Sequence, residues 1–94
     1  MIIAADFDGT LFHDGDLNIP LIVRLKKEQR RGNKVILWTC RHGRSLHEAV
    51  ACLQQSGFRP DYVNCNAPEA IKRLKADPRK IYADVYIDDK AVRA

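Results

Sequence analysis

Ninety-four residues make room for one compact domain with one core and leave little for a second domain or a substrate-covering lid. With 46% hydrophobic and 30% charged residues the chain is too apolar for a disordered segment, yet it contains no stretch long enough to span a membrane. The N-terminus lacks the regions of a cleaved leader, so a single cytoplasmic domain over 1–94 is expected. A formal net charge of +4 favours anionic partners, although the basic residues are scattered and form no motif. Three cysteines without C-x-x-C spacing argue against a disulfide framework and for reduced thiols.

In chain order, the isoleucine-rich run MIIAADF reads as a buried parallel strand. Asp14-Gly15 tolerates positive φ and predicts a tight hairpin, a small flap above the end of that strand. Pro20 suits the first turn of a helix with Leu21, Ile22 and Leu25 on one face, ended by Gly32. KVILWT is a second uninterrupted apolar strand. Ser45 and Glu48 have the spacing of a capping box for a helix with Leu46, Ala49, Val50 and Leu53 inward, stopped by Gly57. DYVNC gives a short third strand, and Asn66 with Glu69 a second capping relation, for a helix carrying Ile71 and Leu74 and broken at Asp77-Pro78. ADVYIDD closes the pattern as strand four. Strands alternating with helices through short links imply an α/β fold: a Rossmann-like three-layer α/β/α sandwich with a mainly parallel sheet and right-handed crossovers.

In such sheets ligands gather at the carboxyl ends of the strands. That rim collects Asp6 and Asp8, Thr39, and Asp88 with Asp89. Carboxylates held together repel unless a cation sits among them, and oxygen donors of this kind suit Mg²⁺, which keeps some water and shares its shell with phosphate.

The segments DFDGTL, ILWTC and RKIYADVYIDD together resemble the haloacid dehalogenase superfamily, mainly Mg²⁺-dependent phosphohydrolases that pass through an aspartyl-phosphate. Asp6-Phe7-Asp8-Gly9-Thr10-Leu11 matches the first motif without departure, Thr39 fits the second, Lys80 the third and Asp88-Asp89 the double-acid fourth. The stretch from Lys80 to Asp89 looks especially like small bacterial and phage hydrolases of this superfamily. By that resemblance Asp6 is the nucleophile, and Asp8 protonates the leaving oxygen and then activates water. Mg²⁺ is held by Asp6, the backbone carbonyl of Asp8 and the acid pair, with Asp89 favoured over Asp88 as direct ligand. Thr39 and Lys80 hold phosphoryl oxygens, and unused N–H groups of Gly9 and Thr10 assist. Arg41, just beyond Thr39, is a candidate for the substrate's phosphate or leaving group.

Two departures stand out. No cap insertion fits between Asp8 and Thr39 or between Thr39 and Lys80, so a capless enzyme is expected, with substrate choice left to the flap, to CRHGR and to any oligomer partner. Only five residues follow Asp89, so the final helix or strand of relatives is expected to be missing, which makes self-association a candidate source of stability.

Blander readings exist for each residue. Asp, Gly and Thr are common where strands turn, a strand Thr often only packs, Lys72 and Lys75 compete with Lys80, and Arg41 has the alternative of being solvated. Cys40, His42, His47, Cys52 and Cys65 match no zinc spacing. The reading that emerges is a phosphatase acting on a phosphorylated small molecule or phosphorylated polymer end, without a membrane partner. Its alternative is a non-catalytic phosphate-sensing or nucleic-acid-binding module on the same fold; retention of Asp8 argues against that. A receiver domain would need an acceptor Asp ending its third strand, which DYVNC lacks.

Overall fold

The computed structural model describes residues 1–77 and 80–88 together with the backbone of 92–93. Its centre is β1 (Ile2–Asp6), flanked in parallel by β4 (Lys34–Trp38) on one side and β6 (Val85–Ile87) on the other. Beyond β4 lies β5 (Tyr62–Val63), also parallel, and beyond β6 lies β7 (Val92–Arg93), antiparallel, giving the order β5-β4-β1-β6-β7. The tail therefore adds a short edge strand where none was expected, with Tyr86 opposite Arg93 and Ile87 opposite Val92. Between β1 and β4 the chain forms the hairpin β2 (Phe12–His13) and β3 (Asp16–Leu17) and then α1 (Ile19–Arg30). Asp14 and Gly15 both take positive φ, 51° and 82°, as that two-residue turn requires.

Side chains alternate along each strand, and the core divides accordingly. Ile3, Ala5 and Phe7 of β1 and the turn after it join Val35 and Leu37 of β4 against Ile22 and Leu25 of α1 and Ala49 and Leu53 of α2 (Gly43–Gln55). Ile2 and Ala4 join Ile36 on the opposite face, against Ala67, Ala70, Ile81 and Ala83 around α3 (Pro68–Leu74). These are the three layers of an α/β/α sandwich, with no cap inserted. Two acids finish the amino ends of the strands: Asp84 accepts from Ile2 N–H at 2.7 Å and Asp61 from Val35 N–H at 2.8 Å. No helix among the described residues is long and apolar enough to cross a membrane.

Local details differ from the sequence reading in three places. The α2 helix starts at Gly43 with His42 as N-cap and no side-chain cap bond, which puts Ser45 inside the first turn rather than at a capping box. Asn66 does not cap α3, whose N-cap is Ala67; its amide is spent on tertiary bonds instead. Leu74 is 44% exposed although it shares the face of Ala70: it is the last residue of α3 and lines an open cavity with Ile81, Tyr82 and Tyr86. That helix ends at Lys75, which adopts a left-handed conformation and donates to the Ile71 carbonyl; Pro78, the expected breaker, lies outside the described residues.

Candidate active site

Alternation along β1 decides which way Asp6 faces. Ile2 and Ala4 point into the α3 layer, so Asp6 points the same way at the carboxyl end of the strand, and its register partner on β4 is Trp38. On β6, Ile87 packs into the α1/α2 layer and Tyr86 into the α3 layer, which brings Asp88 to Asp6's side of the rim. A cavity of about 230 Å³ there is lined by Asp6, Trp38, Thr39, Cys40 and Asp88. An adjoining one of about 260 Å³ is lined by Trp38, Lys80, Ile81, Tyr86 and Asp88. A third, about 410 Å³, lies between the loop after β1 and α1, where Gly9, Thr10, Asn18, Arg24 and Asp88 meet. Asp88 is common to all three, so residues from positions 6 to 88 converge on one rim.

Each side chain is held by a local device. Phe7 N–H donates to Asp6 Oδ1 at 2.9 Å, fixing the carboxylate against its own turn. Asn64 Oδ1 accepts from Thr39 N–H at 2.8 Å, and Thr39 Oγ1 accepts from Arg41 N–H at 3.2 Å. Lys80 is exposed, but its backbone is anchored from below by Asn66, whose amide donates to the Lys80 carbonyl at 3.3 Å and to Asp77 at 3.1 Å and accepts from Tyr82 N–H at 2.6 Å.

Asp8 takes another course. The turn at Gly9 (φ 81°) swings it away from Asp6, and its carboxylate lines none of the three cavities. It accepts two hydrogen bonds from Arg41, Nε to Oδ2 and Nη2 to Oδ1, both at 2.8 Å. The guanidinium also lies over the Phe7 ring at 4.8 Å, with Phe12 stacked behind, and donates to the Ser45 carbonyl. The hydrogen bonds from Arg41 hold the Asp8 carboxyl below its ordinary 3.8, with burial opposing them and the opposite charge adding to them.

One sequence expectation changes here. The N–H groups of Gly9 and Thr10 are not left for a ligand: they donate within the loop, to Phe12 O at 2.8 Å and Phe7 O at 3.2 Å. What the loop leaves without a hydrogen-bond partner among the described residues is the Thr10 hydroxyl, on a side chain only 7% exposed. Asp89 lies outside the described residues, and among the described residues no three His, Cys, Asp or Glu side chains gather in one place. Trp38 is the residue the sequence reading passed over, as one more member of an apolar run; it is 42% exposed. Its position one residue before Thr39, at a strand's carboxyl end, was the available signal.

No protein-family model matches the chain, and no curated protein matches it. Among solved structures, a conserved protein from Bacteroides thetaiotaomicron is similar over 97% of this chain and 77% of its own, with 32% identity and a TM-score of 0.82. At that identity and coverage the chain belongs to the same family as this conserved protein, and the likeness carries a fold rather than an activity.

Proposed function

We propose that this protein is a capless phosphohydrolase of the haloacid dehalogenase type, releasing phosphate from a monoester through an aspartyl-phosphate on Asp6, with Mg²⁺ as cofactor. The observation that carries the reading is the convergence of Asp6, Thr39 and Asp88 on one cavity, with Lys80 beside it across Asp88. The residues fit the metal: two carboxylates facing one water-accessible space are the small, hard donor set that Mg²⁺ takes, leaving places for water and a phosphate oxygen. Asp6 and Asp88 would hold it, with the Asp8 carbonyl and Asp89 as further donors, and its charge would offset the repulsion between an anionic nucleophile and an anionic ester.

The remaining chemistry belongs to the chain. An Asp6 oxygen bonds to phosphorus as the ester oxygen leaves, and Asp8 supplies that oxygen's proton. Water then attacks the phosphoryl group, Asp8 takes its proton, and the bond to Asp6 breaks, returning both acids to their starting states. Thr39 Oγ1 and the Lys80 ammonium stabilise the charge spread over the equatorial oxygens. Transfer to an acceptor other than water uses the same residues. Asp8 is ionised while Arg41 holds it, so before the first step it leaves Arg41 on substrate entry and takes up a proton from solvent, and the cycle above starts and ends with Asp8 in that protonated form. The three unbridged cysteines suit a reducing, cytoplasmic setting.

The Asp8–Arg41 pair is also the one observation that favours a phosphate-sensing or nucleic-acid-binding module, in which an acid/base would be idle. One assay separates the two. Phosphate release from a panel of monoesters with Mg²⁺ is expected from the wild type and not from Asp6→Asn or Asp8→Asn; equal release from all three, or none from any, removes the hydrolase reading.

A further inference from the structure

Trp38 stands at the end of β4 beside Asp6, and its ring does not stay on its own strand. Tyr86 lies on β6, two strand spacings or about 10 Å away across β1, yet the two ring centroids are 6.0 Å apart in an edge-to-face arrangement. On the intervening strand Ala4 is level with Tyr86 and Asp6 is level with Trp38. Tyr86 is locked, donating its hydroxyl to the Ile81 carbonyl at 2.6 Å and accepting from Ala83 N–H at 3.1 Å. The indole is thus braced by a fixed ring while remaining 42% exposed.

The same indole forms a wall of both cavities, one shared with Asp6, Thr39 and Asp88 and the other with Lys80, Ile81 and Asp88. A ligand with its phosphate on the Asp6 side therefore places what lies beyond the phosphate against a flat, rigid, wet aromatic surface. An anionic group gains little from the electron-rich ring face, whereas a planar heterocycle gains stacking over its whole area. We propose that Trp38 is the stacking platform for the base of a nucleoside phosphate, so that the ester cleaved at Asp6 is a mononucleotide or the phosphorylated end of a single strand. This deepens the phosphohydrolase reading and rests on it for the cleavage step, but not for binding.

Trp38 is the chain's only tryptophan, so its fluorescence reports on this surface alone. The experiment titrates adenosine 5′-monophosphate, ribose 5-phosphate and a 5′-phosphorylated oligonucleotide into full-length Asp6→Asn protein, and measures kcat/KM for all three on wild type, Trp38→Ala and Trp38→Phe. Expected is saturable quenching by the base-containing ligands and not by ribose 5-phosphate. Trp38→Ala should lower kcat/KM for the base-containing substrates at least tenfold more than for ribose 5-phosphate, with Trp38→Phe recovering most of the difference; the oligonucleotide arm tells a free nucleotide from a strand end. Quenching without turnover would uphold the platform and remove the hydrolase. Turnover of all three with equal losses in Trp38→Ala, or no quenching by either base-containing ligand, would overturn the platform and leave the hydrolase standing. Concentration-dependent self-association abolished by Trp38→Ala would overturn it as well, since a second copy would then be what covers the indole.

Discussion

Asp8 and Arg41, far apart in the chain, form a two-point ion pair with both N···O distances at 2.8 Å, on an arginine laid over Phe7. The fork matches a carboxylate in a way that a lysine could not. It links the loop after β1 to the loop after β4 and holds the candidate acid/base ionised.

Replacing Arg41 by Gln is expected to return the Asp8 carboxyl toward its ordinary value of 3.8 and to cost at most about 1 kcal/mol at pH 7, since more than half of the Asp8 side chain is exposed and water screens the pair. A depressed folded-state value stabilises above the unfolded value and ceases to do so as pH falls through the folded one. The stability gap between wild type and variant should therefore be full at neutral pH and close below about pH 3.8. Urea unfolding across pH with an NMR titration of Asp8 checks both; a gap that persists at pH 2.5 would place the loss in packing on Phe7.

For the proposed nucleophile, Asp6→Asn keeps the Oδ1 that accepts from Phe7 N–H, so the fold should survive while turnover falls by at least about 10³-fold. Asp8→Asn should cost about 10²–10⁴-fold, the range for an acid/base. Circular dichroism and steady-state kinetics on both variants test the pair, and an Asp6→Asn protein within tenfold of wild type would show that another group attacks.

Mg²⁺ should be visible without any substrate. Binding between Asp6 and Asp88 predicts a rise in Tm on adding millimolar Mg²⁺, with each kcal/mol of binding worth about 4–8 °C in a domain this size. Asp88→Asn should blunt the rise, and chelator should reverse it. An identical Tm with Mg²⁺ and with chelator would mean that the acids hold no ion in the free protein.

Asn66 is expected to be the most sensitive polar residue away from the rim. Its carboxamide satisfies Tyr82 N–H, the Lys80 carbonyl and Asp77 from a buried position, so Asn66→Ala leaves buried groups without partners and should destabilise by about 1–3 kcal/mol. Because the same bonds set the backbone at Lys80, kcat should fall even at temperatures where the variant is fully folded. A variant that is destabilised but has full kcat would make Asn66 a purely structural residue.

The chain's order of elements was legible because each carries its own local signal. The isoleucine and valine runs of β1 and β4, the Asp14-Gly15 turn and the Pro20 and Gly57 helix limits need no tertiary contact to be read. Capping was not legible where side chains had better offers: Asn66 has the spacing of a cap, but a buried carboxamide with three backbone and side-chain partners is worth more than one helix N–H. Leu74 has the inward spacing but lies in the last position of α3, where it borders an open cavity and stays 44% exposed. At the rim, motif spacing brought together Asp6, Thr39, Lys80 and Asp88. It could not show that Asp8 faces Arg41, since that depends on how two loops leave adjacent strands, nor that Trp38 meets Tyr86 across β1, since that depends on the order of strands in the sheet.

Parity along β1 sets what kind of change this protein can accept. A substitution at Ile3 or Ala5 costs what its altered volume costs. Removing one residue between Ile2 and Asp6 would instead rotate every later side chain of the strand by half a turn, burying a carboxylate among Phe7's former neighbours and pushing apolar groups into water. Length variation is thus confined to places such as the β2–β3 hairpin tip, and the spacing from Ile2 to Asp6 is as strictly required as the aspartate itself.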